Sequence, residues 1–183
     1  RVKVNGKVVV NLATKVSNSD EVHIGKKTIR EDKNKISTVI VYNKPKGEIV
    51  SKKDPQGRRT IYDSLDHKYK HFLSVGRLDY ASEGLLLLSD SVEIVDALMH
   101  SDLERVYKIK VNGVITKPVE QAMQNGLEIE DATGGAFKTS KIKSMSFAPF
   151  LAYDILTNSE KFSKIKVVIS EGKNRELRRF FAH

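Results

Sequence analysis

The chain of 183 residues has no cysteine and no tryptophan, only four prolines, and 7% aromatic residues. Without cysteine there can be no disulfide frame, no thiolate zinc site and no cysteine nucleophile, a usage that fits a reducing compartment. Long hydrophobic runs are also missing. The longest aliphatic stretch, Leu85-Leu86-Leu87-Leu88, is far short of the roughly 20 apolar residues that cross a bilayer. With no signal-peptide pattern at its start, the chain reads as soluble and cytoplasmic. Familiar catalytic signatures are absent too: no Walker phosphate loop, no Gly-x-Gly-x-x-Gly, no Gly-x-Ser-x-Gly and no His-Glu-x-x-His. Of the five histidines, only His67 and His71 are spaced like ligands. They sit beside Lys68 and Lys70, which reads as a solvated face, so no metal site is expected.

Present instead are enough apolar residues for a core, 39% of the chain, and a net charge of +9. The excess sits at the two ends. Residues 1–35 carry nine basic residues against four acids, and residues 160–183 carry seven against three, while 36–159 balance. Two separate basic surfaces meeting a polyanion such as a phosphate backbone would have this distribution, and so would a generally basic soluble protein. No basic amphipathic helix supports a membrane surface as the partner. A start at Arg1 and an end in mid-element at Phe180-Phe181-Ala182-His183 read as a fragment at both ends.

Residues 1–30 read as three short strands: Arg1–Val4, Val8–Val10 after the hairpin signal Asn5-Gly6, and Glu21–Ile24 before Gly25. Three such strands without a helix cannot bury much and need a partner layer. The charged, non-periodic stretch 31–36 reads as a linker, with a main domain over 37–183. In that domain the pattern predicts a strand over Thr38–Asn43, a buried strand over Gly84–Leu88 and a helix over Ser91–Met99 capped by Asp90 or Ser91. It continues with a strand over Arg105–Val111 and a helix over Thr116–Asn125 with Pro118 in its first turn. Strands follow at Ala136–Ser146, Leu151–Thr157 and Lys164–Ser170, then a basic helix from about Asn174. Strand runs with interspersed helices argue an α+β class, a mostly antiparallel mixed sheet with flanking helices. Asp79 and Glu83 are four residues apart, but Gly76 and Gly84 flank them, so the spacing does not place two carboxylates on one helix face.

Four segments, in order, resemble one family. Val75-Gly76-Arg77-Leu78-Asp79-Tyr80-Ala81-Ser82-Glu83-Gly84-Leu85-Leu86-Leu87-Leu88-Ser89-Asp90 is similar to the signature of bacterial ribosomal RNA pseudouridine synthases of the RsuA/RluB branch. Asn43-Lys44-Pro45-Lys46-Gly47 lies upstream; Glu104-Arg105-Val106-Tyr107 and Glu171-Gly172-Lys173-Asn174-Arg175-Glu176-Leu177-Arg178-Arg179-Phe180 follow. The resemblance covers 36–183, and residues 1–30 resemble the second half of the small alpha-L RNA-binding domain that precedes the catalytic domain in that family. It implies the pseudouridine synthase fold, no cofactor, and isomerisation of a flipped-out uridine in ribosomal RNA, with large-subunit 23S RNA favoured. Action as a monomer on rRNA or a pre-ribosomal particle is expected with it.

By the same resemblance Asp79 falls on the catalytic aspartate, Tyr107 on the tyrosine against the target base, Arg178 on the cation pairing with the aspartate, and Leu177 on an apolar pocket wall. Arg77, Lys44, Lys173, Asn174, Arg175 and Arg179 are expected to face RNA. Glu176 stands where Gln is usual, beside the expected RNA groove, and Ser82 where Thr is frequent. Taken singly, Asp79 would be a turn residue, Tyr107 core, and the arginines a solvated helix face; only their joint occurrence points to catalysis. The chemistry suits the residue types. Uracil N1 must part from the ribose and C5 join the same carbon, with no redox step. An ionised carboxylate can serve by attacking either C1′ or base C6, a guanidinium can keep it charged, and an aromatic face can stack the extruded base. A non-catalytic RNA-binding assembly factor on the same fold is the alternative. No recognition helix supports a DNA-binding one.

Overall fold

A computed structural model describes residues 1–11, 13–30, 36–137 and 139–183. The chain divides into two compact units, Arg1–Thr38 and Val39–His183. Five residues of the expected linker, 31–35, lie outside the described residues.

The first unit is an antiparallel sheet of β1 (Val2–Val4), β2 (Lys7–Val9), β3 (Val22–Ile24) and β4 (Lys27–Ile29), in the order β2-β1-β3-β4. Asn5 and Gly6, both at positive φ (49° and 79°), make the two-residue turn between β1 and β2, the geometry that matches the twist of paired strands. Asn5 also accepts from the Glu21 amide and donates to Asp20, tying that turn to the start of β3. β4 was not expected from sequence: Lys27-Thr28-Ile29 is too short and too polar to show a period. No described residue of this unit is buried.

The second unit contains β5 (Val39–Lys44), α1 (Ile61–Ser64), a 3-10 turn (His67–Tyr69), β6 (Leu73–Ser74), β7 (Gly84–Ser89) and α2 (Val92–Met99). It continues with β8 (Arg105–Asn112), α3 (Lys117–Asn125), β9 (Leu127–Ile129), β10 (Met145–Phe147), β11 (Ala152–Asn158), β12 (Phe162–Ile169) and α4 (Glu176–Phe180). Its strands form sheets in the orders β5-β7-β6, β11-β12-β8 and β10-β9, and every pairing of named strands is antiparallel. The α+β expectation holds.

Two apolar clusters support these sheets. Leu86 and Leu88 of β7 pack with Ile61, Tyr62, Leu65 and Phe72. Ile165, Val167 and Ile169 of β12 pack with Met123 of α3, Phe147 of β10 and Phe180 of α4. Local chemistry explains the helix ends: Ser91 Oγ accepts from the Ile94 amide at the start of α2, a side-chain cap on an otherwise unpaired donor. Pro118 sits in the first turn of α3, and Gly126 at φ 82° ends it.

Three expectations are corrected. The strand Gly84–Leu88 is not buried on both faces: Leu86 and Leu88 point into the core while Leu85 is 67% exposed, so this sheet covers a core on one side only. The final helix begins at Glu176 rather than Asn174, because Arg175 adopts a left-handed conformation at φ 53°. Of the expected strand 136–146, only Met145 and Ser146 belong to a strand, β10, and the preceding described residues are in none.

The cause of that last departure is Arg179. It is 0% exposed, and its guanidinium donates to the carbonyls of Ala132, Asn174 and Ile142 and to Ser140 Oγ. Ala132, Ser140 and Ile142 gather around the cation instead of pairing in a strand. Arg179 therefore does not face RNA, contrary to expectation; it ties α4 to this loop. Gly135, at φ 66°, lies so close to α4 that a Cβ there would sit 2.2 Å from the Arg178 carbonyl oxygen. Glu176 is buried as well and caps the other side of the turn, accepting from the Lys173 amide at 2.9 Å. Burial pushes its carboxyl above the ordinary range, and Glu171 adds to the rise.

Two outcomes follow for α4. Arg179→Met leaves buried carbonyls unpaired and should lower stability by about 3 kcal/mol, read as a melting temperature some 6–12 °C lower for a chain of this size. Glu176→Gln keeps an acceptor for the Lys173 amide but cannot ionise. A carboxyl raised in the folded state contributes stability below its unfolded pKa and loses it as pH climbs through the folded value. The Gln variant should therefore melt above the wild type near neutrality, and the difference should vanish toward about pH 4.

Candidate active site

The loop between β6 and β7 carries Asp79 and is fastened on both sides. Val75 N donates to Leu87 O at 2.8 Å, Gly47 N donates to Tyr80 O at 2.8 Å, and Ser82 N closes a turn onto Asp79 O at 2.9 Å. Lys44 provides the central tie. Register sets its place, since β5 pairs with β7 so that Lys44 lies opposite Gly84, where the loop ends. Its side chain is fully buried and Nζ donates to the carbonyls of Pro45, Asp79 and Ser82 at 3.0, 3.1 and 2.8 Å. Burial depresses its pKa, while the charges of Glu48 and Asp79 oppose that. Lys44 does not face RNA as expected; its ammonium is directed at main-chain carbonyls, two of them in the Asp79 loop and one at the neighbouring Pro45.

The Asp79 carboxylate meets two guanidiniums at one oxygen. Arg178 Nε lies 3.0 Å and Arg175 Nη1 3.2 Å from Oδ2, whereas Oδ1 has no hydrogen-bond donor among the described residues. One oxygen is thus held and the other left open. Arg178 was expected at this carboxylate. Arg175 was expected to face RNA; its side chain, 15% exposed, lines the cleft beside Asp79. Its Nε donates to Gly135 O at 2.5 Å and its guanidinium stacks 4.3 Å from the Phe137 ring centre. The left-handed backbone at Arg175 turns this side chain back toward the cleft. No sequence pattern signals such a turn at an arginine, and this second cation was missed for that reason.

Tyr107 lies on β8, on the face that packs against the β12 core, half-buried, with its hydroxyl unpartnered among the described residues. Burial pushes the phenol pKa up; nearby Arg105 lowers it, and the negative charges of Glu176 and Asp79 raise it further. It therefore stays neutral over any working pH range. Leu177 is also half-buried and packs against the same core. Asp79, Tyr107, Leu177 and Arg178 line one open cleft of about 810 Å³, large enough for a nucleotide and its neighbours.

The other residues expected at RNA divide. Arg77 is exposed on the cleft rim, and no hydrogen bond or ion pair engages it among the described residues. Lys173 is exposed but pairs with Glu171 at 2.6 Å and donates to Ser146 O. Asn174 is exposed, with its carbonyl and Oδ1 accepting from Arg179. Glu176 is a buried capping residue lining the cleft, not a charge projecting beside a groove. Among the described residues no cluster of three or more metal-ligating side chains occurs, and no helix is long and apolar enough to cross a membrane.

Comparison with known proteins identifies the family. Residues 38–183 match the family model for RNA pseudouridylate synthase. The chain is 57% identical over 182 residues to an uncharacterized RNA pseudouridine synthase of Helicobacter pylori (strain ATCC 700392 / 26695), covering 100% of this chain and 69% of that protein. It is 33% identical over 184 residues to ribosomal large subunit pseudouridine synthase B of Bacillus subtilis (strain 168), covering 99% of this chain and 69% of that protein. Among solved structures, a crystal structure of a pseudouridylate synthase shares the fold at a TM-score of 0.63 and 24% identity, over 99% of this chain and 71% of that one. The chain belongs to the RNA pseudouridylate synthase family.

Proposed function

We propose that this protein isomerises a specific uridine of ribosomal RNA, in the large subunit, to pseudouridine, with Asp79 as the nucleophile. The single observation carrying the assignment is the asymmetric seating of that carboxylate. Two guanidiniums hold Oδ2, and Oδ1 of this cleft-lining residue has no donor among the described residues. The value of these pairs lies in orientation and in keeping the carboxylate charged when substrate covers it.

In the proposed reaction Oδ1 attacks either C1′ of the ribose or C6 of the base. The N1–C1′ bond breaks, the uracil turns, C5 joins C1′, the bond from Oδ1 to C1′ or C6 breaks to free the carboxylate, and the C5 proton leaves to solvent as N1 gains one, so no oxidant or reductant is consumed. The Tyr107 ring offers a stacking face for the extruded base, worth roughly 1–3 kcal/mol, with Leu177 as the apolar wall. A stacked uridine is out of reach of a carboxylate in a cleft, so the base must flip, and Arg77 fills the space it leaves. The presence of Asp79, Tyr107 and Arg178 together favours turnover over a purely structural role in ribosome assembly. The name of the Bacillus subtilis relative supports the large-subunit substrate. An rRNA substrate also implies a cytoplasmic location. The unit 1–38, with its net positive charge, is read as the end of an RNA-binding domain of the alpha-L type and the unit 39–183 as the catalytic one; action as a monomer completes the proposal.

Asp79→Asn tests the nucleophile. In a tritium-release assay on rRNA carrying 5-tritiated uridine, its rate should fall by on the order of 1,000-fold or more, with the melting temperature little changed. Retained turnover would remove Asp79 from the chemistry.

A further inference from the structure

The face of the β11-β12-β8 sheet turned away from the core has an unusual charge pattern. In the antiparallel register of β8 and β12, Lys110 lies directly opposite Lys164 and Lys108 directly opposite Lys166. The alternating partners Tyr107, Ile109, Ile165 and Val167 point into the apolar cluster, so all four lysines share the outer face. Like charges placed directly across a strand pair are destabilising, by a few tenths to about 1 kcal/mol per pair. Compensation is sparse. The three strands contain a single acid, Asp154, opposite Lys166, and none of the four ammonium groups makes an ion pair among the described residues. Lys110 and Lys164 share one neutral neighbour, the Phe162 ring, at 4.3 and 5.8 Å from its centre.

Two lysine pairs on one sheet face with Asp154 as the only acid in these strands are poor for folding and well suited to a polyanion. Lys108, Lys110 and Lys164 also belong to the wall of the cleft that holds Asp79, so the basic face is continuous with the candidate active site. We propose that the Lys108/Lys166 and Lys110/Lys164 pairs form a track for the RNA phosphate backbone, binding the substrate strand or helix that runs outward from the target uridine. The track reads charge rather than sequence, because lysine ammonium groups on phosphates carry no base information. It sets affinity and orientation, leaving the choice of uridine to the cleft. The proposal rests on an RNA substrate for the cleft.

The test is a salt titration of binding to a protein-free large-subunit rRNA transcript, using the full-length protein and a variant with Lys108, Lys110, Lys164 and Lys166 all changed to Gln. Each phosphate contact contributes about 0.7–0.9 to the slope of log affinity against log salt. Four lost contacts should make the slope shallower by about 3 and weaken binding on the order of 10- to 100-fold at about 0.1 M salt. Removing cross-strand repulsion should leave the melting temperature equal or higher, an outcome that a merely structural role would reverse. A second variant with all four changed to Arg keeps the charge and should keep the wild-type slope. An unchanged slope in the Gln variant, or an Arg variant as weak as the Gln one, overturns the track. Asp79→Asn serves as the discriminating control: it should bind with the wild-type slope. Wild-type protein that binds rRNA with the expected slope but makes no pseudouridine would refute the enzymatic reading and leave the track standing.

Discussion

The contacts from Arg175 and Arg178 to Asp79 Oδ2 join residues 96 and 99 positions apart in the chain, and much of the catalytic unit serves to bring these ends together. The carboxylate stands on a loop between two strands of one sheet; the guanidiniums come from the short final helix, α4, and from the left-handed residue that precedes it. Neither segment has enough structure of its own to hold a side chain in place. A five-residue helix is marginal by itself, and the loop 75–83 contains no regular element. The site therefore depends on how each segment is anchored.

In both places the anchor is a buried cation without a carboxylate partner. Lys44 gathers the carbonyls of Pro45, Asp79 and Ser82, and Arg179 gathers those of Ala132, Ile142 and Asn174. Burying a charge is costly unless every proton finds an acceptor. That cost makes these anchors specific, since a displaced loop would strand an ammonium or guanidinium in the interior. Gly135 completes the arrangement from the other side, passing so near Arg178 that only a residue without a Cβ fits. Its carbonyl then becomes the acceptor that aims Arg175 at the carboxylate.

Most regular elements were legible in the sequence because period and punctuation agreed. β8 alternates over Arg105–Asn112, α3 is bounded by Pro118 and Gly126, and α2 by the Ser91 cap. Asp79, Tyr107 and Arg178 were legible as a set through their ordered motifs, and the structure brings them to one cleft. What escaped were features decided by tertiary context. Lys44, Arg175 and Arg179 look from sequence like three more cations for RNA, and no local pattern separates a lysine that will be buried from one that will not. Residues 136–146 read as strand-like in sequence, yet Ser140 and Ile142 accept from a guanidinium that arrives from about 40 positions downstream. β4 and β6 are too short for periodicity to show.

The central proposal is that Asp79 makes pseudouridine in large-subunit ribosomal RNA. Mapping by carbodiimide-dependent reverse-transcription stops tests it most directly, on rRNA from cells lacking the gene and from the same cells carrying the wild-type or the Asp79→Asn gene. One stop should disappear on deletion, return with the wild type and stay absent with the Asn variant. No change at any uridine on deletion, or full recovery with Asn at position 79, would contradict the proposal.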